Sequence, residues 1–198
     1  MENSQSIARL ESALGNTAAK LESLKSAKSL DELRIAWSDF LVYHHRFFTA
    51  LKQVCGNKQH QSWCQNVLRV RKTDPLLRYI HHARNSDEHG LIEVVRDEPG
   101  GFSIGSGGHR TVIENLQIRN GKLVSANVRE GVAVIKKIDD RIALVDVTDR
   151  SVVYSVPDEH LGQSVEKNVK VIADLAFRFI EDKFVEFKNS AVKSSSVR

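Results

Sequence analysis

Apolar positions recur at helical spacing through about the first ninety residues. Leucines three or four positions apart mark a first helix, and five aromatic side chains at the same spacing mark the second as the most aromatic part of the chain. Ser29 suits the start of the second helix, and Asp74-Pro75 suits the start of the fourth. The four predicted helices cover residues 5–28, 30–55, 59–71 and 74–90. Four helices with short connections predict an up-down bundle over residues 1–90.

After Gly90 the pattern changes to short runs rich in Val and Ile, separated by turn residues, which is typical of β-strands. Asn120-Gly121 predicts a two-residue hairpin turn, and Asp139-Asp140-Arg141 predicts the next one. The predicted strands cover residues 91–96, 111–119, 122–128, 132–138, 142–147 and 152–156. We therefore expect an α+β fold with a small antiparallel β-sheet of five or six strands in residues 91–157.

The last predicted helix, residues 158–188, carries apolar side chains at helical spacing from Leu161 to Phe187. A helix this amphipathic must pack on the sheet, on the bundle or on a dimer partner. The polar tail of residues 189–198 is predicted to be disordered.

Composition favours an ordinary globular protein, with 198 residues, 41% hydrophobic and 27% charged. No segment approaches the roughly eighteen apolar residues of a membrane span, and the start does not resemble a signal peptide, so we expect a cytoplasmic protein without a membrane partner. Cys55 and Cys64 lack paired Cys-x-x-Cys spacing. In the cytoplasm such cysteines are expected to be a pair of reduced thiols rather than a disulfide or a zinc site.

The net charge of +4 is modest, but its distribution is uneven. Six basic residues and one acidic residue lie between Lys58 and Arg84, which predicts either a polyanion-binding surface or a solvated one. The glycine-rich stretch from Gly100 to Arg110, which includes His109, lacks the Lys-Ser/Thr of a P-loop. It is interpreted as a mobile hairpin connection, with phosphate binding through its amides as the alternative.

The fourth predicted helix concentrates the candidate chemistry. At about 100° per residue its apolar side chains fall on one side, and imidazole, guanidinium and carboxamide groups fall on the opposite arc. With little acid beside it, the polar arc suits an anion such as a phosphate, unless it is only a solvated His-rich face. The apolar side contains Leu76, Leu77, Ile80 and Ala83, and the polar arc contains Arg78, His81, His82, Asn85 and His89.

Within this helix Arg84, the polar Asn85 directly after it and His89 five positions beyond the arginine resemble the signature of the HEPN superfamily. These are small helical domains, many of them metal-independent ribonucleases. The resemblance covers roughly residues 1–95. A tyrosine two residues after the histidine is typical of one toxin branch, and Leu91 occupies that position here. Regulation by nucleotide transfer onto that tyrosine is therefore not expected.

The resemblance implies a metal-independent endoribonuclease that needs no cofactor and acts as a homodimer, with two Arg84/His89 pairs in one cleft. Attack by the ribose 2′-hydroxyl would leave a cyclic phosphate end. His89 would act as general base or acid, and Arg84 would stabilise phosphate charge with its fork of donors. Asn85 would orient one of the Arg84 donors. Side chains expected to bind flanking RNA phosphates are Arg78, His82, His81, Arg71 and Lys72. The second helix offers Asp39, His44 and His45 either as surface residues, the favoured interpretation, or as supporting polar residues of the site.

By analogy with the superfamily, a toxin–antitoxin or antiviral defence role with an inhibitory protein partner would fit. The main alternative is a non-catalytic HEPN-like dimerisation module whose β domain binds a nucleotide, a small ligand or a protein. A metal site formed by His82, His89 and His45 is the third interpretation. The sequence lacks the close carboxylate and imidazole spacing that would favour it, so we expect no metal.

Overall fold

The computed structural model describes residues 2–55, 60–88, 94–106, 108, 110–120 and 122–195. Several positions used in the sequence argument lie outside the described residues, namely Lys58, His89, Gly90, Leu91, His109 and Gly121. Of the predicted catalytic pair, Arg84 and His89, the structure therefore describes Arg84 only.

Five α-helices occur in the described part of the chain: α1 (Glu2–Ser26), α2 (Leu30–Val54), α3 (Gln61–Thr73), α4 (Pro75–Glu88) and α5 (Val169–Ser195). Both predicted helix starts are confirmed. The Ser29 hydroxyl accepts the Glu32 amide at 3.1 Å, and Asp74 Oδ1 accepts the Leu77 amide at 2.9 Å. These side chains satisfy amides that have no partner within the helix, which fixes where α2 and α4 begin.

The aromatic stripe of α2 forms the centre of the core, as predicted. Trp37, Phe40, Phe47 and Phe48 are fully buried among leucines of α1 and α4 and apolar side chains of α5. At the edge of this core, Lys25 Nζ in α1 lies 2.7 Å from Asp174 Oδ1 in α5. The helices thus share one apolar interior, which is the main source of stability for a helical unit.

Ten short strands occur in the described residues: β1 (Val95–Glu98), β2 (Gly101–Gly105), β3 (Val112–Arg119), β4 (Lys122–Glu130), β5 (Val134–Ile138), β6 (Arg141–Leu144), β7 (Val147–Asp149), β8 (Val152–Tyr154), β9 (Glu159–His160) and β10 (Gln163–Ser164). They form two-stranded pairs, β1 with β6, β2 with β5, β3 with β4, β7 with β8 and β9 with β10. The last four pairs named are antiparallel. Helices with small antiparallel strands confirm the α+β class.

The prediction of one sheet with five or six strands is wrong for the described residues. A turn at Asp139–Arg141 was expected to pair the strands on either side of it, but β5 pairs with β2 and β6 pairs with β1. The glycine-rich stretch contributes the strand β2, which the sequence pattern did not show because Gly101 and Gly105 disfavour strands. Gly100 is required there, because a Cβ would lie 2.2 Å from the Ile138 carbonyl oxygen.

The chain divides into two compact units. Unit 1 contains residues 1–96 and 142–198, and unit 2 contains residues 97–141. The domain boundaries predicted from the sequence lie after residues 90 and 157, where the hydrophobic pattern changes. Unit 1 holds all five helices that the structure describes, together with β7 to β10.

The last helix begins at Val169 rather than near residue 158. Leu161 and Val165 fit helical spacing, but β9 and β10 form a hairpin in which Leu161 and Gly162 have φ values of 50° and 80°. Positive φ at both central residues is the geometry of a tight hairpin turn, and Gly162 makes it accessible. The helix also continues through Ser195 into the segment predicted to be disordered.

The prediction of reduced cysteines is wrong. Cys55 caps the end of α2, Cys64 lies in the first turn of α3, and a disulfide joins them with their Cα atoms 5.6 Å apart. The end of α2 and the start of α3 lie within disulfide range of each other, which sequence spacing alone did not indicate. Among the helices of the described ranges, none is both long enough and apolar enough to cross a membrane.

Candidate functional site

Helix α4 is held against the core on one side and against the chain after β6 on another. Leu76, Leu77, Ile80 and Ala83 are buried, as predicted for the apolar side. The Tyr79 hydroxyl donates to the Val145 carbonyl at 2.8 Å. The Ser86 hydroxyl donates to the Thr148 carbonyl at the same distance. These bonds place the polar arc of α4 beside strand β7.

Strands β7 and β8 form a hairpin, and two of its side chains, Asp149 and Tyr154, contact α4. Its two turn residues, Arg150 and Ser151, have φ values of 51° and 66°, which produces a tight two-residue turn. Asp149 pairs with Val152, and Val147 pairs with Tyr154. Because side chains alternate along a strand, Asp149 and Tyr154 project from the same face of the hairpin.

Asp149 connects two residues of α4 through one carboxylate oxygen. Asp149 Oδ2 lies 2.7 Å from His82 Nδ1 and accepts a hydrogen bond of 2.8 Å from Asn85 Nδ2. Hydrogen bonds from Asn85 and His82 hold the pKa of Asp149 below its usual value of 3.8, against the opposing effect of burial. The carboxylate is therefore ionised at neutral pH and serves as acceptor for both groups.

The other end of the Asn85 carboxamide contacts the predicted catalytic arginine. Arg84 Nη1 donates to Asn85 Oδ1 at 3.3 Å, and both side chains are half-buried. A continuous chain of hydrogen bonds thus runs from Arg84 through Asn85 to Asp149 and His82. The expectation of little acid beside the polar arc is wrong, because Asp149 supplies a carboxylate from a distant part of the sequence.

His82 is also fixed by ring stacking. Its ring lies parallel to Tyr154, with 3.6 Å between centroids and 10° between planes. The guanidinium of the exposed Arg78 lies 5.8 Å from the centroid of the same Tyr154 ring, within cation–π range. Nineteen per cent of the His82 side chain is exposed. The imidazole is thus oriented by two neighbours and still reaches solvent.

A second group of polar side chains lies deeper, around Arg71 of α3. Arg71 Nη2 donates to His45 Nδ1 and to His81 Nδ1, each at 3.0 Å, and the two imidazoles stack with 5.7 Å between centroids. A guanidinium only donates, so each Nδ1 must carry a lone pair and both rings are neutral. Burial and the Arg71 charge lower the pKa of His45 to about 4 and that of His81 to about 3.

This second group limits what its members can bind. Arg71 is buried, with its guanidinium 4.1 Å from the Phe48 ring centroid, and burial followed by the Arg84 charge lowers its pKa to about 10. Arg71 and His81, both predicted to contact RNA phosphates, are engaged with each other in this structure. Lys72 and Arg78, from the same prediction, are exposed.

Two of the supporting residues predicted from α2 lie elsewhere. His44 is buried between Phe40 and Phe48, where burial and the Arg71 charge lower its pKa to about 3. Asp39 Oδ2 accepts a hydrogen bond of 2.7 Å from Lys20 Nζ in α1. Only His45, of the three, belongs to the polar cluster beside α4.

Asp149 and Tyr154 are the residues that sequence reasoning missed. They lie 64 or more positions along the sequence from their partners on α4. The sequence around them predicts only a turn between two short strands. For the metal alternative, the described residues contain no group of three or more His, Cys, Asp or Glu side chains arranged to hold an ion. His89, the third member of that alternative, is outside them.

The site as described combines a guanidinium and a carboxamide that can bind phosphate with a carboxylate-oriented imidazole that can exchange a proton. No protein-family model, no curated protein and no solved structure matches this chain.

Proposed function

We propose that this protein is a metal-independent endoribonuclease of the HEPN type, with Arg84, Asn85 and His89 as its catalytic residues. One observation carries the proposal. The polar residue that follows the arginine in the signature, Asn85, accepts a hydrogen bond from Arg84 and is itself anchored by Asp149. The resemblance implies an orienting role for that position, and this contact supports it, because it would prepare the guanidinium for a phosphate before substrate binds.

The reaction would use the nucleophile that RNA itself supplies. The ribose 2′-hydroxyl attacks the adjacent phosphorus, the bond to the 5′-oxygen breaks, and a cyclic phosphate and a 5′-hydroxyl result. Arg84 would stabilise the charge that develops on the phosphate oxygens, because its fork of donors matches them. His89 would give or take one of the two protons that move.

Arg78 and Lys72 are suited to hold flanking phosphates. Both side chains are exposed, and they lie on α4 and α3 within the basic segment of unit 1. Arg71 and His81 contribute differently, because they fix the helices beneath the site. We therefore assign the contact with flanking phosphates to the two exposed cations.

The same proposal includes an HEPN-like up-down arrangement of α1 to α4 and a homodimer with two Arg84/His89 pairs in one cleft. A toxin or antiviral-defence setting with an inhibitory protein partner belongs to the same analogy. The dimer is tested by sedimentation of the purified protein, where twice the chain mass of 22.3 kDa is expected.

Cleavage of a mixed RNA in the presence of EDTA tests the activity. We expect the wild-type protein to leave cyclic phosphate ends and to leave a DNA of the same sequence intact, because DNA lacks the 2′-hydroxyl. Arg84→Ala and His89→Ala should each lower the cleavage rate by roughly 100-fold or more, the usual effect of removing a charge-stabilising or proton-transferring group.

Arg178→Ala is the matched control, since it removes an exposed arginine of α5 whose ion pair, at 2.8 Å, is with Asp174 and not with a residue of the site. It should cleave at the wild-type rate, and circular dichroism should show that every variant is folded. Cleavage that stops in EDTA, or that survives both site substitutions, would contradict the proposal.

A non-catalytic module is the second candidate, and one observation favours it. Of the twelve large hydrophobic side chains exposed in the described residues, seven lie within the 45 residues of unit 2. Exposed apolar side chains at this density are typical of protein-binding surfaces. Absence of cleavage by the wild-type protein would favour this candidate.

A further inference from the structure

Among the described histidines, two are paired with an aspartate through Nδ1, and their surroundings differ. His160 Nδ1 lies 2.9 Å from Asp74 Oδ1, and only 8% of the His160 side chain is exposed. His82 Nδ1 lies 2.7 Å from Asp149 Oδ2, and 19% of its side chain is exposed. The first pair lies inside the fold, and the second faces solvent next to Arg84 and Asn85.

The Asp149 contact fixes which nitrogen of His82 is available. Asp149 is ionised and can only accept, so His82 Nδ1 carries the hydrogen. His82 Nε2 then carries the lone pair of the neutral ring, and it makes no hydrogen bond to any residue that the structure describes. An imidazole oriented by a carboxylate, with its second nitrogen available, is the arrangement of a general base.

The surroundings of His82 hold this geometry. Stacking on Tyr154 restricts rotation of the ring. Asp149 also holds Asn85, which accepts from Arg84, so one carboxylate positions both the imidazole and the guanidinium. Displacing Asp149 would disturb both groups at once, which is expected where a base and a phosphate ligand act on neighbouring atoms of one substrate.

We propose that His82 is a catalytic residue of this site, acting as the general base on the ribose 2′-hydroxyl, and that Asp149 is its positioning residue. The inference rests on the proposed ribonuclease function and adds a residue that the Arg-His signature does not contain. It assigns His82 a proton-transfer role in place of the phosphate contact expected from the sequence.

The proposed step is balanced as follows. His82 Nε2 takes the proton of the 2′-hydroxyl while that oxygen bonds to phosphorus, which gives an imidazolium whose charge Asp149 stabilises. The bond from phosphorus to the 5′-oxygen breaks, and that oxygen takes a proton from the acid of the proposed mechanism. His82 then releases its proton to solvent and the acid takes up a proton from solvent, so the site returns to its starting state.

The groups that face His82 define the expected pH dependence. Asp149 of β7 favours the imidazolium, while the neutral His81 and Asn85 of α4 and the Tyr154 ring of β8 add no charge. Four cations lie one contact further out and oppose the imidazolium. They are Arg78 over the Tyr154 ring, Arg150 acting on Asp149, Arg84 on Asn85 and Arg71 on His81. A general base must be neutral, so the cleavage rate should rise with pH along an acidic limb set by His82.

The test is the pH profile of RNA cleavage in EDTA for the full-length wild-type protein, His82→Gln, Asp149→Asn and the matched control His160→Gln. His82→Gln should lower kcat by roughly 100-fold or more and abolish the acidic limb. Asp149→Asn should lower kcat with little change in KM, because an amide can donate to Nδ1 as well as accept from it and no longer fixes which nitrogen of His82 carries the hydrogen. His160→Gln removes the other His–Asp pair, with Asp74, and its cleavage rate should keep the acidic limb of the wild-type pH profile.

Thermal unfolding by circular dichroism should show each variant folded at the assay temperature, and Asp149→Asn, which preserves shape, tests the inference even if His82→Gln is unstable. If the pH profile of His82→Gln keeps the acidic limb of the wild-type profile, at any cleavage rate, the role of His82 is overturned. The proposed ribonuclease function is not affected by that result. Absence of cleavage by the wild-type protein would overturn both.

Discussion

At the scale of single residues, Asp74 shows how one buried carboxylate joins distant parts of unit 1. Its Oδ1 accepts the Leu77 amide at the start of α4 and lies 2.9 Å from His160 Nδ1, and its Oδ2 accepts the Leu161 amide at 2.7 Å. Burial raises the pKa of Asp74, but the His160 contact and the two amides outweigh it, so the pKa lies below 3.8. Asp74 therefore caps a helix and holds the β9–β10 turn.

We expect Asp74→Ala to lower the free energy of unfolding by roughly 2–4 kcal/mol, because a cap is lost and buried donors of His160 and Leu161 lose their acceptor. Urea unfolding measures this. Asp31→Ala is the control, since Asp31 is an exposed carboxylate in the first turn of α2 whose ion pair with Arg34 spans 3.5 Å. Its effect should stay below about 1 kcal/mol. Equal losses in the two variants would contradict the role given to Asp74.

At the scale of elements, the disulfide between Cys55 and Cys64 fixes the start of α3 relative to the end of α2. Helix α3 carries Arg71, which donates to His45 of α2 and His81 of α4. The disulfide joins residues nine positions apart in the sequence. It therefore supports α3, the helix whose Arg71 links α2 and α4. Its contribution to stability comes mainly from restricting the unfolded chain.

Reduction of this disulfide should lower the free energy of unfolding by about 2–3 kcal/mol, the chain-entropy value for a loop of about ten residues. Urea unfolding with and without a dithiol reductant measures the difference. Trp37 and Trp63 both lie in unit 1, so their fluorescence reports on this unit. Cys55→Ser should be insensitive to the reductant. A wild-type midpoint that does not move on reduction would show that the link adds nothing.

At the scale of the whole molecule, three neutral histidines, His44 buried and His45 and His81 half-buried, link stability to pH. The pKa values of His44, His45 and His81 fall to about 3, 4 and 3, from a usual value of 6.5. Below pH 6.5 these histidines bind protons in the unfolded chain but stay neutral in the folded chain. Unfolding therefore becomes more favourable as the pH falls. Their contribution is complete above pH 6.5 and is lost progressively towards pH 4 and below.

We therefore expect the urea midpoint of unit 1, followed by tryptophan fluorescence, to fall between pH 6.5 and about pH 5, before most carboxylates titrate. His44→Phe should show a smaller fall, because an aromatic side chain that does not titrate replaces a histidine in the same aromatic environment. A midpoint that stays constant over this range, or an identical fall in His44→Phe, would exclude the neutral histidines as the cause.

The sequence by itself determined the local elements of this protein. Helical periodicity located α2 and α4 and the side of each that is buried, and Ser29 and Asp74 marked their starts. Short runs rich in Val and Ile on either side of a turn signal marked β3 and β4. These features depend on contacts between residues a few positions apart, which a pattern in the sequence records directly. Arg84 and Asn85 were selected for the same reason, as neighbours on one helix.

Only the tertiary structure decided which distant residues meet. Helical spacing at Leu161 concealed the β9–β10 hairpin, spacing alone did not show that Cys55 reaches Cys64, and nothing local connected Asp149 with His82. Each of these outcomes depends on how elements pack and on turns that reverse the chain, and residues separated by a long segment carry no shared periodicity. The sequence therefore supplied the chemical groups of the candidate site, and packing supplied the carboxylate that orients them.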